Sequence, residues 1–340
     1  MQRRVSLKDV ARAAGVHVST VSRALSRETA KLLSPAVAER IQAVAEEMGY
    51  CPNAMAAALR TSRSGAVGMV VPDLTHPAFS VMLRGADEVL GAAGYVPVIL
   101  SVEHDFRRTS ALLRELRGRR VDGILIATAQ VDDPFIAAVA REATPMVAIN
   151  ATDIEGAPFP GVVADEAAGV AMVMDHLRDL GHVQISHLAG PAATLTGQAR
   201  MAAFVANGGD PLWTEHASAY DRAGGHAACH RLLDRFPPGR PGGLTAIVTA
   251  NDLLALGCLD VLRERGLRCP DDVSLTGFMD LPNMDLIDPP LTTVRVDLLG
   301  MGRCAAQKLL SLLTVGAGPQ PKMEIMPTSL VVRRSCRPMA

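Results

Sequence analysis

From Ala66 onward, short apolar runs alternate with amphipathic stretches, and this rhythm restricts the fold more than any other feature of the sequence. Strands are predicted at 67–71, 96–100, 123–127, 146–149, 161–164, 184–188, 246–250, 274–278 and 293–295, with helices between most of them. Parallel strands need long crossovers, and helices supply them, so the pattern implies parallel sheets covered on both faces. So many strand–helix units exceed one ordinary doubly wound sheet, and two α/β lobes are expected. Gly239–Gly243 and Gly316–Pro321 read as loops.

The first 50 residues have a different texture, that of three short helices. Ser6-Leu-Lys-Asp9 has the form of a capping box opening a helix to about Ala14. Gly15 supplies the permissive backbone of a tight turn. A second helix, from about Val18 to Leu25, carries Val21, Ala24 and Leu25 on one side. Ser34 as cap and Pro35 at the first helical position open a third, with Val37, Ile41, Val44, Ala45 and Met48 as its apolar stripe. Two short helices joined by a glycine turn and braced by a third have the form of a helix-turn-helix.

Charge distribution supports that form. The whole chain has 34 basic and 35 acidic residues, a net charge of -1. Residues 1–64 hold ten basic and five acidic side chains, a net +5, which leaves -6 for the other 276 residues. The basic excess sits where a phosphate backbone would be gripped. The same pattern also fits a helical docking module whose basic face is incidental.

Other features bound the function from outside. No stretch reaches the ~18 consecutive apolar residues of a membrane span, and the start, Met1-Gln-Arg-Arg4, lacks the apolar core of a secretory signal. A cytoplasmic protein with no membrane partner is expected. Cys51, Cys229, Cys258, Cys269, Cys304 and Cys336 lie far apart with no Cys-x-x-Cys pair, which suits reduced, mostly buried thiols. There is no Gly-x-Ser-x-Gly elbow, Walker loop or Gly-x-Gly-x-x-Gly after the first strand, so no catalytic residue, enzyme activity or cofactor is expected. His226-Ala-Ala-Cys229-His230 puts two histidines at i,i+4 spacing beside a thiol. With no carboxylate or third ligand at a suitable spacing, it reads as a partly exposed helix face, and no metal site is expected.

Several segments carry a family resemblance. The run V-S-L-K-D-V-A-R-A-A-G-V-H-V-S-T-V-S-R-A-L from Val5 to Leu25 resembles the DNA-binding signature of the LacI/GalR transcriptional regulators. Gly49-Tyr-Cys-Pro-Asn53 resembles the lead into that family's hinge. Similarity continues through Val71-Pro-Asp73, Val121-Asp-Gly123, His176-Leu-Arg-Asp-Leu-Gly-His182, Ala189-Gly-Pro191, Ala250-Asn-Asp252, Pro270-Asp-Asp-Val-Ser274 and Pro289-Pro-Leu-Thr-Thr293. The resemblance implies an all-α helix-turn-helix head over residues 1–50 and a hinge helix and linker over 51–64. Residues 65–340 would form an α/β, two-lobed, periplasmic-binding-protein-like effector domain. Its N-terminal lobe is expected at 65–163 plus 294–320 and its C-terminal lobe at 164–293 plus 321–336.

What the resemblance implies for function is a homodimeric regulator, in the family's commoner role a repressor, binding double-stranded operator DNA under control of a small-molecule effector. Val18, Ser19 and Arg23 match base-reading positions, and Arg23 could contact guanine in bidentate fashion. Ser6, His17, Thr20 and Ser22 are assigned to phosphates or capping. Asn53 belongs to the hinge and Leu59 matches its minor-groove wedge, although a passive linker also fits the stretch. The effector positions are Asp73, Leu74, Phe79, Ser101, Thr128 and Asn150 in one lobe. In the other they are Thr196, Arg200, Tyr220, Asn251 and Met279, at the carboxyl ends of strands. Arg200 is expected to hold a ligand oxygen or carboxylate in its fork. Met279 and Val296 stand where sugar-binding members are polar, so the expected effector is less hydroxylated than a simple sugar, a carboxylated or aromatic metabolite. A stand-alone small-molecule receptor and an enzyme on the same scaffold are the other classes considered.

Overall fold

A computed structural model describes residues 5–25, 29–50, 63–102, 115–116, 118, 120–127, 144–150, 159–315 and 323–339. The chain divides into two compact units, Met1–Gly65 and Ala66–Ala340.

In the first unit, α1 (Leu7–Ala14) begins on the capping box read from the sequence. The Ser6 backbone N–H donates to Asp9 Oδ2 at 2.9 Å, and the Ser6 hydroxyl accepts from the Asp9 N–H at 3.4 Å. Gly15 ends the helix in the left-handed region at φ 64°, where a Cβ would be strained. Then come α2 (Val18–Ala24) and α3 (Pro35–Glu47). Ser34 stands at the N-cap of α3 but makes no side-chain cap bond, contrary to the sequence expectation; Pro35 alone marks the start. Val10, Ala14, Val21, Ala24, Ile41 and Ala45 form the small core, and the apolar stripe of each helix is spent on it.

The second unit opens with β1 (Ala66–Val71), α4 (Pro77–Ala92), β2 (Val96–Ser101), β3 (Gly123–Ile126), β4 (Met146–Ile149) and β5 (Gly161–Ala164). It continues with α5 (Glu166–Asp179), β6 (Ile185–Ala189), α6 (Leu195–Ala206), β7 (Thr214–His216), α7 (Arg222–Arg235), β8 (Ala246–Thr249), α8 (Asp252–Glu264) and β9 (Ser274–Met279). The last elements are β10 (Thr292–Val296), α9 (Leu298–Val315), β11 (Met323–Met326) and β12 (Thr328–Val331). Two sheets result, ordered β11-β5-β4-β3-β1-β2 and β12-β10-β9-β8-β6-β7. Every pairing is parallel except that of β12 with β10. The inner strands β3, β4, β5, β6, β8 and β9 are buried at every position, which is why they read as unbroken apolar runs.

Along the described residues the chain passes between the two lobes three times, at Asp165, Asp297 and Pro327. Two crossings are tied together: the Asp165 N–H donates to the Met326 carbonyl at 2.8 Å, and the Thr328 hydroxyl donates to the Asp165 carbonyl at 3.2 Å. These positions correct the lobe limits read from the sequence. All of Thr292–Val296 pairs within the second sheet, so the return to the first lobe follows residue 296 rather than 293. Met323–Met326 belongs to the first sheet, beside β5, and only the residues after Pro327 join the second. Among the described residues no helix is long and apolar enough to cross a membrane. Cys229 and Cys258 are buried free thiols, Cys269, Cys304 and Cys336 are half-buried, and Cys51 lies outside the described residues. Gly239 and Gly242 adopt positive φ in the loop expected there, whereas 316–322 lies outside the described residues.

In the first lobe, α9 packs on α4 at a distance that only glycine permits. A Cβ on Gly302 would overlap the Met82 carbonyl oxygen, and one on Gly85 would overlap that of Leu299. Gly91, exposed on the same helix as Gly85, has only the Asp87 carboxylate nearby, at 3.9 Å. Gly302→Ala should therefore destabilise the protein by about 1–3 kcal/mol, whereas Gly91→Ala should raise stability by about 0.5–1 kcal/mol through helix propensity. Urea titration of both variants separates close packing from propensity.

The second lobe carries a buried histidine in β6. His187 is fully buried, its Nδ1–H donates to the Val248 carbonyl at 2.8 Å, and its ring stacks on Phe204 at 4.9 Å. Burial lowers its pKa from 6.5 to about 4. The folded state thus holds fewer protons than the unfolded chain between those values, and stability is lost as pH falls from 6.5 towards 4. His187→Phe should flatten the melting-temperature profile in that window, measured by circular dichroism at fixed ionic strength.

Candidate functional sites

On α2, burial of Val21 and Ala24 turns the opposite side outward, and Ser19 and Arg23, one turn apart, are both exposed there. The lack of an acidic side chain in α2 leaves this face positive. His17 is the N-cap: its Nδ1 accepts from the Ser19 N–H at 3.3 Å and lies 2.8 Å from the Ser19 hydroxyl. A His17 cap on a two-turn helix holds Ser19 in place and satisfies one of the orphan donors at the helix start. Val18 is half-buried against the three-helix core, so much of its side chain packs inward. Thr20 and Ser22 are half-buried, and Ser6 is exposed but bonded to Asp9. The Arg23 carbonyl accepts from Thr29 at 3.1 Å and the Ala24 carbonyl from Gln42 at 3.2 Å, which closes the end of α2. Asn53 and Leu59 lie outside the described residues.

In the second unit the informative side chains follow the strands. Arg200, on α6, is 1% exposed and does not present an open fork. Its Nε and Nη2 donate to Glu166 at 2.5 and 3.0 Å, its Nη1 donates to the Ala250 carbonyl, and its guanidinium carbon lies 4.0 Å from the centre of the Phe278 ring. Burial opposes the charge, but the Glu166 carboxylate outweighs burial and holds the guanidinium above its usual pKa. Beside it, the Thr196 and Tyr220 hydroxyls lie 3.3 Å apart, and Tyr220 lies against Gly190 where any side chain would collide with it.

Asn251 caps α8 by accepting from the Leu254 N–H at 2.8 Å, and its amide nitrogen lies 3.3 Å from His76 Nε2. That contact joins the end of β8 in one lobe to the start of α4 in the other. His76 is buried, 5.3 Å from the Phe79 ring, and burial lowers its pKa to about 4, so the imidazole is neutral at physiological pH. Met279 closes β9 at φ 106°, a backbone strained for a side-chain-bearing residue, and it and Val296 are both 6% exposed. Asp252 is buried, accepts from the Thr293 hydroxyl at 2.6 Å and the Leu281 N–H at 2.7 Å, and is pushed by burial up to about 7.

The remaining candidates sit at strand ends without joining this group. The Asp73 carboxylate is turned onto Thr75 at 2.7 Å, Leu74 is exposed, and the Ser101 hydroxyl reaches the Pro72 carbonyl at 3.5 Å. Asn150 ends β4 at φ 55°, and Thr128 lies outside the described residues. Sequence reasoning missed Glu166 and His76. Each directly follows a strand end or its loop, and His76 precedes Pro77, the pattern of a helix start.

Comparison with known proteins gives these sites a context. A model of bacterial regulatory proteins of the lacI family matches residues 6–53, and a model of the periplasmic binding protein-like domain matches residues 174–336. The HTH-type transcriptional regulator reg1 of Streptomyces lividans is 31% identical over 346 aligned positions, covering 97% of this chain and 96% of that protein. The ribose operon repressor of Escherichia coli is 28% identical, covering 95% of this chain and 97% of that protein. The lac repressor dimer bound to operator and an anti-inducer superposes with a TM-score of 0.84 at 27% identity, over 98% of this chain and all of that one. The exposed positive face of a glycine-turned helix pair and a two-lobed α/β unit thus occur together, and the chain belongs to the lacI family of bacterial regulatory proteins.

Proposed function

We propose that this chain is a cytoplasmic, homodimeric repressor that binds operator DNA through α2 and is controlled by a small molecule held between the two lobes of its second unit. The observation that carries the reading is the outward pair Ser19 and Arg23 on a helix whose other side is committed to a core, within an N-terminal segment, residues 1–64, of net charge +5. Arg23 reads guanine through paired donors, while Ser6, Thr20, Ser22 and the capped start of α2 meet phosphates. Val18 fills space beside the core and offers at most a methyl contact. Dimerisation is supported by the edge strand β2, where Val96 and Ile99 expose 64% and 46% of their surface.

The effector proposed is a neutral molecule with few hydroxyls. Glu166 already fills the Arg200 fork, so a second carboxylate would compete with a buried ion pair. Met279 and Val296 give no hydrogen bond to a hydroxyl, whereas Tyr220, Thr196 and the neutral His76 can bind a carbonyl, ring nitrogen or aromatic body. An effector that replaces the His76–Asn251 contact binds one lobe arrangement better than the other, which is what shifting operator affinity requires.

In duplexes selected from a random pool by the purified protein, binding should weaken steeply with salt. Arg23→Ala should erase preference for the selected sequence and leave weaker, salt-sensitive binding to any duplex; equal loss on both would count against base reading. Titration calorimetry should detect neutral, sparsely hydroxylated or aromatic ligands, and a ligand found this way should change operator affinity. Tight binding of an unmodified hexose or ribose alone would overturn the effector class without touching the DNA-binding reading.

A further inference from the structure

The histidine pair at 226 and 230 acquires in the fold the third ligand that its sequence neighbourhood lacks. Glu264, the last residue of α8, faces both rings: its Oε1 lies 3.0 Å from His226 Nε2 and its Oε2 lies 3.1 Å from His230 Nε2. One ligand atom from each of the three side chains falls within a 4.8 Å span, and among the described residues this is the cluster suited to a metal ion. The two rings meet edge to face at 4.7 Å. They belong to one face of α7 because residues four apart stack along a helix.

The framework behind these side chains is tight. A Cβ on Gly257 would overlap the Arg222 carbonyl and the His226 nitrogen, and one on Gly225 would overlap the Leu254 backbone, so α7 and α8 touch through their main chains. One turn before His226, Arg222 grips Asp260 through two bonds of 2.5 and 2.6 Å across the same seam. Cys229, between the histidines, is buried, whereas both imidazoles and Glu264 keep 37% to 52% of their surface exposed. The ligand atoms are therefore borne on rigid elements, open to solvent.

We propose that His226, His230 and Glu264 bind a first-row divalent transition-metal ion, with Zn²⁺ the best fit and water completing the coordination. A tetrahedral Zn²⁺ with bonds of about 2.0–2.2 Å to nitrogen and oxygen sets its ligands about 3.4 Å apart, close to the 3.0 and 3.1 Å between Glu264 and the two histidines. Two imidazoles and one carboxylate favour zinc over calcium or magnesium, which take oxygen donors. Binding moves the proton of each ring from Nε2 to Nδ1. On His230 that proton would face Arg265, whose Nη2 now donates to Nδ1 at 2.9 Å. Arg265 must then settle on Asp234, already 2.8 Å away, and this rearrangement weakens the site.

The test uses the full-length chain without a histidine tag, stripped with EDTA and kept reduced. Titration with Co²⁺ followed by visible absorption, then displacement by Zn²⁺, should show one saturable ion per chain and a rise in melting temperature with Zn²⁺. His226→Gln and Glu264→Gln should each lower affinity by about tenfold or more while circular dichroism stays unchanged. Cys229→Ser should bind as the parent does, and Arg265→Ala should bind several-fold more tightly. Absence of saturable binding, or equal affinity in Glu264→Gln, would overturn the proposal.

Discussion

A guanidinium cut off from water organises the second lobe. Arg200 reaches from α6 to Glu166 at the start of α5, to the carbonyl that ends β8 and to the ring of Phe278 on β9. Two charges at 1% and 5% exposure are tolerable only as a pair, because either one alone would bear the full desolvation penalty, of several kcal/mol. The pair therefore fixes four elements at once, at the end of the sheet where ligands of open α/β folds bind. It also sets the electrostatics there: the charge is already balanced by the protein, and what remains for a guest is hydrogen bonding and apolar contact.

The first lobe meets that end through a polar contact between neutral groups, His76 and Asn251. Such a contact is worth about 0.5–1.5 kcal/mol, small enough for a ligand to replace and specific enough to define an arrangement. The chain also crosses between the lobes at Asp165, Asp297 and Pro327, hydrogen bonds tie the first of these to the last, and buried apolar side chains of both lobes belong to one cluster. A strong internal anchor in one lobe facing a weak bridge to the other suits the effector control proposed above.

What the sequence revealed depended on burial. The inner strands are covered on both faces and were legible as apolar runs, and the head was legible because capping, a glycine turn and a short amphipathic helix each leave a local mark. The strands that escaped, β7, β11 and β12, all lie at sheet edges, where Met-Glu-Ile-Met and Thr-Ser-Leu-Val carry polar residues among apolar ones. The same logic holds at the sites. Arg200 was visible from its family position, but its partner Glu166 is 34 residues away in sequence, and nothing local links them. His226 and His230 announced themselves by spacing, whereas Glu264 comes from the next helix and joins them only once α7 and α8 pack.

The one-residue step at Pro327 has a consequence for how the molecule is made. β11 completes the first sheet and β12 completes the second, yet both lie within Met323–Val331, near the end of the described chain. During synthesis the first lobe leaves the ribosome with its β5 edge unpaired and waits for nearly the whole second lobe to be translated before β11 arrives. The two lobes thus finish almost together, closed by one short peptide, and a late frameshift would open an edge in both.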